Sequence, residues 1–211
     1  MQSFISLYLH EITSVGQQLL IFVHLFAFAF AVVMIVSTDV KIITSRKLDV
    51  TEVHQLGKKI TTLLVLLWLT GVALLAIKPG LDIELIFANS KLAAKITVVS
   101  VLTINGLLLH LLVFPSFKSR QKAQRIVIVS CLFTAISTSS WIYAALVGAA
   151  RVVAPIMDYE HYMIIYLAIL AFALLVSVVV VYPLMREIVK SISYAEVTSE
   201  STPHDPIMTK P

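Results

Sequence analysis

The sequence predicts an all-α membrane protein: a polytopic bundle of five transmembrane helices, N-terminus outside and C-terminus cytoplasmic. Three observations predict it. Of the 211 residues, 59% are hydrophobic, more than a soluble domain of this size needs to bury. The apolar residues gather into five continuous runs, each with roughly the 17–25 residues a helix needs to cross ~30 Å of hydrocarbon. Basic residues crowd alternate connections, and Lys and Arg accumulate on the cytoplasmic side. A β-barrel would need alternating strands of about ten residues, whereas a helix satisfies its own backbone in lipid.

The elements follow in order. Residues 1–16 form a short outer segment, partly helical. The first span is Gln17–Thr38. No basic stretch precedes it and it is longer than a signal-peptide core, so it reads as a retained span. The connection 39–59 carries Lys41, Arg46, Lys47, Lys58 and Lys59, which place it inside, and it extends the second helix inward. The second span, Ile60–Ile77, is stopped by Lys78-Pro79-Gly80. Leu81–Ala88 is amphipathic and suits the outer interface. The third span, Leu92–Phe114, ends at Pro115, and Lys118, Arg120, Lys122 and Arg125 follow it. The fourth, Ile126–Ala150, is followed by Pro155, and the fifth, Tyr162–Met185, is nearly all apolar and reads as a peripheral, lipid-facing helix. Arg186, Lys190 and Lys210 mark the C-terminal side as cytoplasmic, against only Lys78, Lys91 and Arg151 on the other side. Residues 1–192 form one transmembrane domain. Residues 193–211, rich in Ser, Thr, Pro and acidic side chains, read as a disordered cytoplasmic tail.

Several function classes drop out. The excess of 16 Lys and Arg over 12 Asp and Glu sits in membrane-flanking segments, so it reflects topology and not nucleic-acid binding. Cys131 stands alone, so there is no internal disulfide. No Gly-rich phosphate loop, Cys-x-x-Cys, Cys-x-x-Cys-His or His-Glu-x-x-His is present, so any haem would be held non-covalently.

The remaining signal is polar residues inside spans, where a charged group at a helix centre costs roughly 2.5–3.5 kcal/mol. In the third span Lys91, Lys95, Thr103, Gly106 and His110 share one face at about 100° per residue. His110 is a candidate metal or haem ligand. Lys95 is a candidate partner for an acidic group, or it snorkels to the outer interface. In the first span His24 shares a face with Gln17, Ala27, Ala31 and Thr38, and the small residues suit close packing. His24 lies roughly 10 Å below the outer surface, and His110 roughly 16 Å further across. The two should therefore not ligate one iron, whose ligands lie within ~2 Å of it. The conceivable paired ligands are His24 with His161 and His54 with His110. The fourth span carries Ser130, Thr134, Ser137 and Trp141 in a line, with hydroxyls dense over 137–140, a pattern suited to interhelical hydrogen bonds. Trp141 faces a cofactor or a packed core.

Taken together, Phe22-Val23-His24-Leu25, the basic inner connection, Thr70-Gly71, Lys91 or Lys95, and His110 resemble the HemJ-type protoporphyrinogen oxidases and the related CopD-like membrane domain, over about residues 18–150. The resemblance implies a b-type haem protein of the bacterial inner membrane, with His24 and His110 at the functional histidine positions. For the HemJ type it implies oxidation of a porphyrinogen. For the CopD type it implies copper handling, although Met-rich clusters and further Cys, the soft Cu(I) ligands, are scarce. The expected function is therefore haem-associated redox or porphyrin chemistry. His24 and His110 are the metal or cofactor ligands and Lys95 the anion partner. The expected partners are the lipid bilayer and a porphyrin or redox protein, and an oligomer is compatible. The competing classes are a copper, metal or small-solute transporter, and a non-catalytic membrane subunit.

Overall fold

The computed structural model describes residues 2–46, 50–77, 81–113, 123–150 and 154–188, giving only the backbone for 2–11, 50, 113, 123, 125 and 126. Among these residues the chain is helical, with no strand. Five helices are long and apolar enough to cross a membrane, and the chain is a multi-pass membrane protein. The stop at residues 78–80, the basic cluster 118–122, and the tail fall outside the described residues.

α1 runs Gln2–Ser45 and α2 Val50–Ile77. Both exceed the apolar runs that predicted them. The outer segment 1–16 is continuous helix from Gln2, and the inner connection shrinks from 39–59 to the few residues after Ser45. Nothing between 39 and 45 is Pro or Gly, so the helix continues into the basic stretch until Arg46 adopts φ 51° and its N–H closes on the Ile42 carbonyl at 3.1 Å. Lys41 bonds Glu52 at 2.6 Å across that corner, where the chain turns from α1 into α2.

The amphipathic octapeptide forms the short helix α3, Ile83–Ala88. Asp82 caps it, its carboxylate accepting from the N–H groups of Glu84 and Leu85. α4, Ser90–Leu108, is capped by Asn89 and passes into a π-helical turn at Leu109–Val113. α5 is Ala123–Ala149. α6 begins at Tyr159, relaxes into a second π turn at Ser177–Val181 and reaches Ile188.

α1 packs mainly on α2, α5 on α4 and α6, and α1 touches α5. The Ala27 and Ala31 face of α1 lies buried against Leu67, Leu102 and Trp141, as small residues at a helix contact should. Trp141 is in the packed core, 2% exposed and 5.6 Å from the Phe28 ring. A second core gathers Tyr143, Tyr162 and Tyr166 with Ala94 and Val98. α6 presents Ile164, Leu167, Phe172, Leu175 and Val178 outward. Its inward edge is more polar than its composition suggests, because Tyr166 bonds Ser140 at 2.8 Å and Ser177 donates to the Cys131 carbonyl at 3.0 Å. The opposite face of α1 is an aromatic ladder, Phe22, Phe26 and Phe30, exposed to the surroundings that lipid would occupy.

Candidate functional sites at two levels

The polar residues inside the bundle collect at two levels of α2. At the first level, toward the α2 C-terminus, His24 Nδ1 lies 2.7 Å from Thr70 Oγ1. The Thr70 hydroxyl donates back to the Leu66 carbonyl at 2.8 Å. With its one hydrogen given to Leu66, the Thr70 oxygen is assigned as the acceptor and the hydrogen to His24 Nδ1. In a neutral imidazole this leaves the lone pair on Nε2. Thr70 is buried and His24 half-buried. The Lys95 ammonium, on the exposed edge of α4, is close enough to act on His24 electrostatically. Gly71 sits beside the ring: a Cβ there would be 3.8 Å from His24 Cε1, an ordinary contact.

At the second level, nine residues earlier on α2, His110 Nε2 lies 3.0 Å from Thr61 Oγ1. Thr61 reaches the Gly57 carbonyl at 2.9 Å, and on the same assignment its hydroxyl accepts from Nε2 of His110. Between the levels, Trp68 Nε1 donates to Thr103 at 2.9 Å. Lys95, Thr103 and His110 thus share the face of α4 turned to α1 and α2, as the helical spacing predicts. Lys91, on the edge of that face, reaches instead to the Ala150 carbonyl at 2.9 Å.

The nine residues between Thr61 and Thr70 correspond to about 13–14 Å along α2. The structure thus keeps His24 and His110 apart, as depth counting indicates, and joins His24 with Thr70 and Lys95. His54 is exposed, two turns before Thr61. His161 is exposed near the start of α6, which packs on α5 and α4, whereas His24 is held between α1, α2 and the Lys95 edge of α4. Among the described residues no group of three or more His, Cys, Asp or Glu side chains could enclose a bare metal ion.

Sequence reasoning missed Asp39. It reads as the first residue of a polar connection, yet it lies on α1, less than two turns from the helix end, and accepts from Thr138 of α5 at 2.7 Å. A small cavity of about 170 Å³ lies among α1, α2, α4 and α5, with Asp39, Thr38, Thr61, His110, Ser137 and Thr138 on its wall. A larger one, of about 560 Å³, opens between α1, α5 and α6 on the other side of Asp39. The π turn of α4 begins at Leu109, which lines both cavities. Such turns recur at functional sites, where they widen a helix locally. Asn105 was also missed. It lies off the polar face of α4, donates to the Phe133 carbonyl at 3.2 Å, and its Oδ1 is buried with no partner among the described residues.

Comparison with known protein families, curated proteins and solved structures finds no match to this chain. The function therefore rests on the two levels themselves.

Proposed function

We propose that this protein binds a b-type haem in the bacterial inner membrane, with its N-terminus outside, and acts in redox or porphyrin chemistry. His24 would hold the iron and Lys95 would pair a haem carboxylate. The observation that carries this is the 2.7 Å contact of His24 Nδ1 with the Thr70 hydroxyl. An iron-ligating histidine usually donates its other ring N–H to an acceptor that fixes tautomer and ring orientation. Thr70 does this for Nδ1 and leaves the Nε2 lone pair available, and a neutral imidazole nitrogen is the ordinary protein ligand of haem iron.

The donor set would supply a single protein nitrogen to the iron. His24 supplies the nitrogen, Thr70 its orientation, Gly71 an open ring edge, and Lys95 a cation within reach of the same place. Bound there, a b-type haem would supply one-electron chemistry tuned by its axial ligand and the burial around it. His110 plays a different part in this reading. Its Nε2 hydrogen is committed to Thr61, and it stands across a small polar cavity from Asp39. Its role is to hold and move a proton, since an imidazole has one ring nitrogen that donates and one that accepts.

That same cavity favours a second reading, a small-solute or proton path through the bundle. The absorption spectrum of the detergent-purified protein, oxidised and dithionite-reduced, separates the two. We expect a Soret band that shifts on reduction, is lost in His24→Ala and persists in His110→Ala. A well-folded protein that stays colourless after haem supplementation would overturn the haem reading and leave the path.

A further inference from the structure

The cavity of about 560 Å³ between α1, α5 and α6 plays no part in the haem reading. Its size falls in the ~300–1,000 Å³ range of pockets that take drug-sized ligands. It is a half-open groove whose wall is overwhelmingly apolar, built from side chains such as Ile42, Ile142 and Ile169, with the outward-facing Phe172 at its rim. Among the described residues that line it, Asp39 is the one charged group. That carboxylate has a hydroxyl partner, Thr138, and no Lys or Arg paired with it among the described residues, Lys41 being turned to Glu52 and His110 standing across the smaller cavity.

An acidic side chain inside a membrane span is expensive and usually marks a functional site with an identifiable partner. Water-soluble cations would gain the Asp39 contact but would have to leave water for an apolar chamber. Neutral lipid chains would fill the chamber but leave the carboxylate without a counter-charge. A ligand that joins a single positive charge to an apolar body satisfies both the wall and the carboxylate. We infer that the α1–α5–α6 cavity is a binding site for lipophilic amines, with the ammonium group at Asp39 and the hydrocarbon along α5 and α6.

The test uses the full chain in nanodiscs of zwitterionic lipid, with empty nanodiscs as the blank for membrane partitioning. Decylammonium and decanol, which share a chain and differ in charge, are titrated calorimetrically. The expected result is saturable binding of decylammonium to the wild type, at least tenfold tighter than decanol. Asp39→Asn, which keeps the size of the side chain and an acceptor for Thr138, should lose that tenfold margin, and Asp39→Glu should keep most of it. The wild-type comparison of the two probes needs no variant, so it decides even if a substitution disturbs folding. Equal binding of decylammonium and decanol, no saturable binding of either, or undiminished decylammonium binding to Asp39→Asn would each overturn the assignment. A missing Soret band would leave this result untouched, because neither His24 nor Lys95 lines the cavity.

Discussion

Replacing Thr70 by valine removes one hydroxyl and leaves the shape of the side chain almost unchanged. Because Thr70 is 5% exposed, water cannot replace what is lost, and because valine has nearly the same volume, no cavity opens. The Leu66 carbonyl gives up the hydroxyl but stays in the helix ladder of α2. The loss that matters is at His24, whose Nδ1–H is left without its acceptor at 2.7 Å. In soluble proteins an orphaned buried donor costs about 1–3 kcal/mol. Between membrane helices the measured couplings are smaller, about 0.6 on average and up to about 1.7 kcal/mol, because the separated helices also find partners. Thr70→Val should therefore destabilise the bundle by about 0.6–1.7 kcal/mol, where 1.4 kcal/mol is a tenfold change in the folding equilibrium. His24→Phe keeps a ring and removes the donor. The double variant should cost less than the sum of the two singles by the same amount. The assay is reversible unfolding in mixed micelles of rising SDS fraction, followed by tryptophan fluorescence. If the single costs add to within the ~0.3–0.5 kcal/mol scatter of independent sites, the bond contributes nothing and the tautomer assigned to His24 loses its support. On the haem reading, the same Thr70→Val change should weaken haem retention by about 10–100-fold, the usual effect of losing a group that orients a metal ligand.

Three further substitutions test neighbouring points. Gly71→Ala should leave the empty bundle unharmed or stabilise it by up to ~1 kcal/mol through helix propensity, since the added Cβ meets only His24 Cε1 at 3.8 Å; a loss above 1 kcal/mol in the same SDS titration would show the ring to be packed more tightly than this. Asn105→Leu should be neutral or mildly stabilising, because it removes an unpartnered Oδ1, and the Phe133 carbonyl that loses its 3.2 Å bond stays in the helix ladder of α5; marked destabilisation would mean that Oδ1 has a partner. Trp141→Ala should cost about 3 kcal/mol, the low end of the range for deleting a buried Trp, because lipid contributes no hydrophobic drive between helices and only packing is lost; a cost below 1 kcal/mol would remove Trp141 from the core contact with Phe28.

How much of this was legible before the structure depends on which physical signal each feature sends. Spans were legible because lipid demands a long apolar run, and each of the five predicted runs lies within, or to a residue or so of, its observed helix. Helix ends were not, because hydropathy reports where a chain meets lipid and not where the backbone ceases to be helical. α1 therefore runs past Thr38 through Asp39 and Lys41 to Ser45 without any change in its hydrogen bonding. The error about Asp39 follows directly from this. A carboxylate next to a run of lysines reads as part of a solvated connection until the helix is seen to continue and to turn that residue toward Thr138. The polar face of α4 was legible, since helical periodicity alone groups Lys95, Thr103 and His110. What each group meets was not, because partner choice depends on register between helices, which no single-helix period contains. Thr61 and Thr70 are ordinary threonines in an apolar sequence, and both bond back to their own helix as threonines often do. Their importance comes from the remaining acceptor lone pair, which register places against His110 in one case and His24 in the other. The two histidines, chemically alike in the sequence, differ in the fold: Thr70 meets His24 at Nδ1, whereas Thr61 meets His110 at Nε2. Any function that uses both must therefore use them for different tasks.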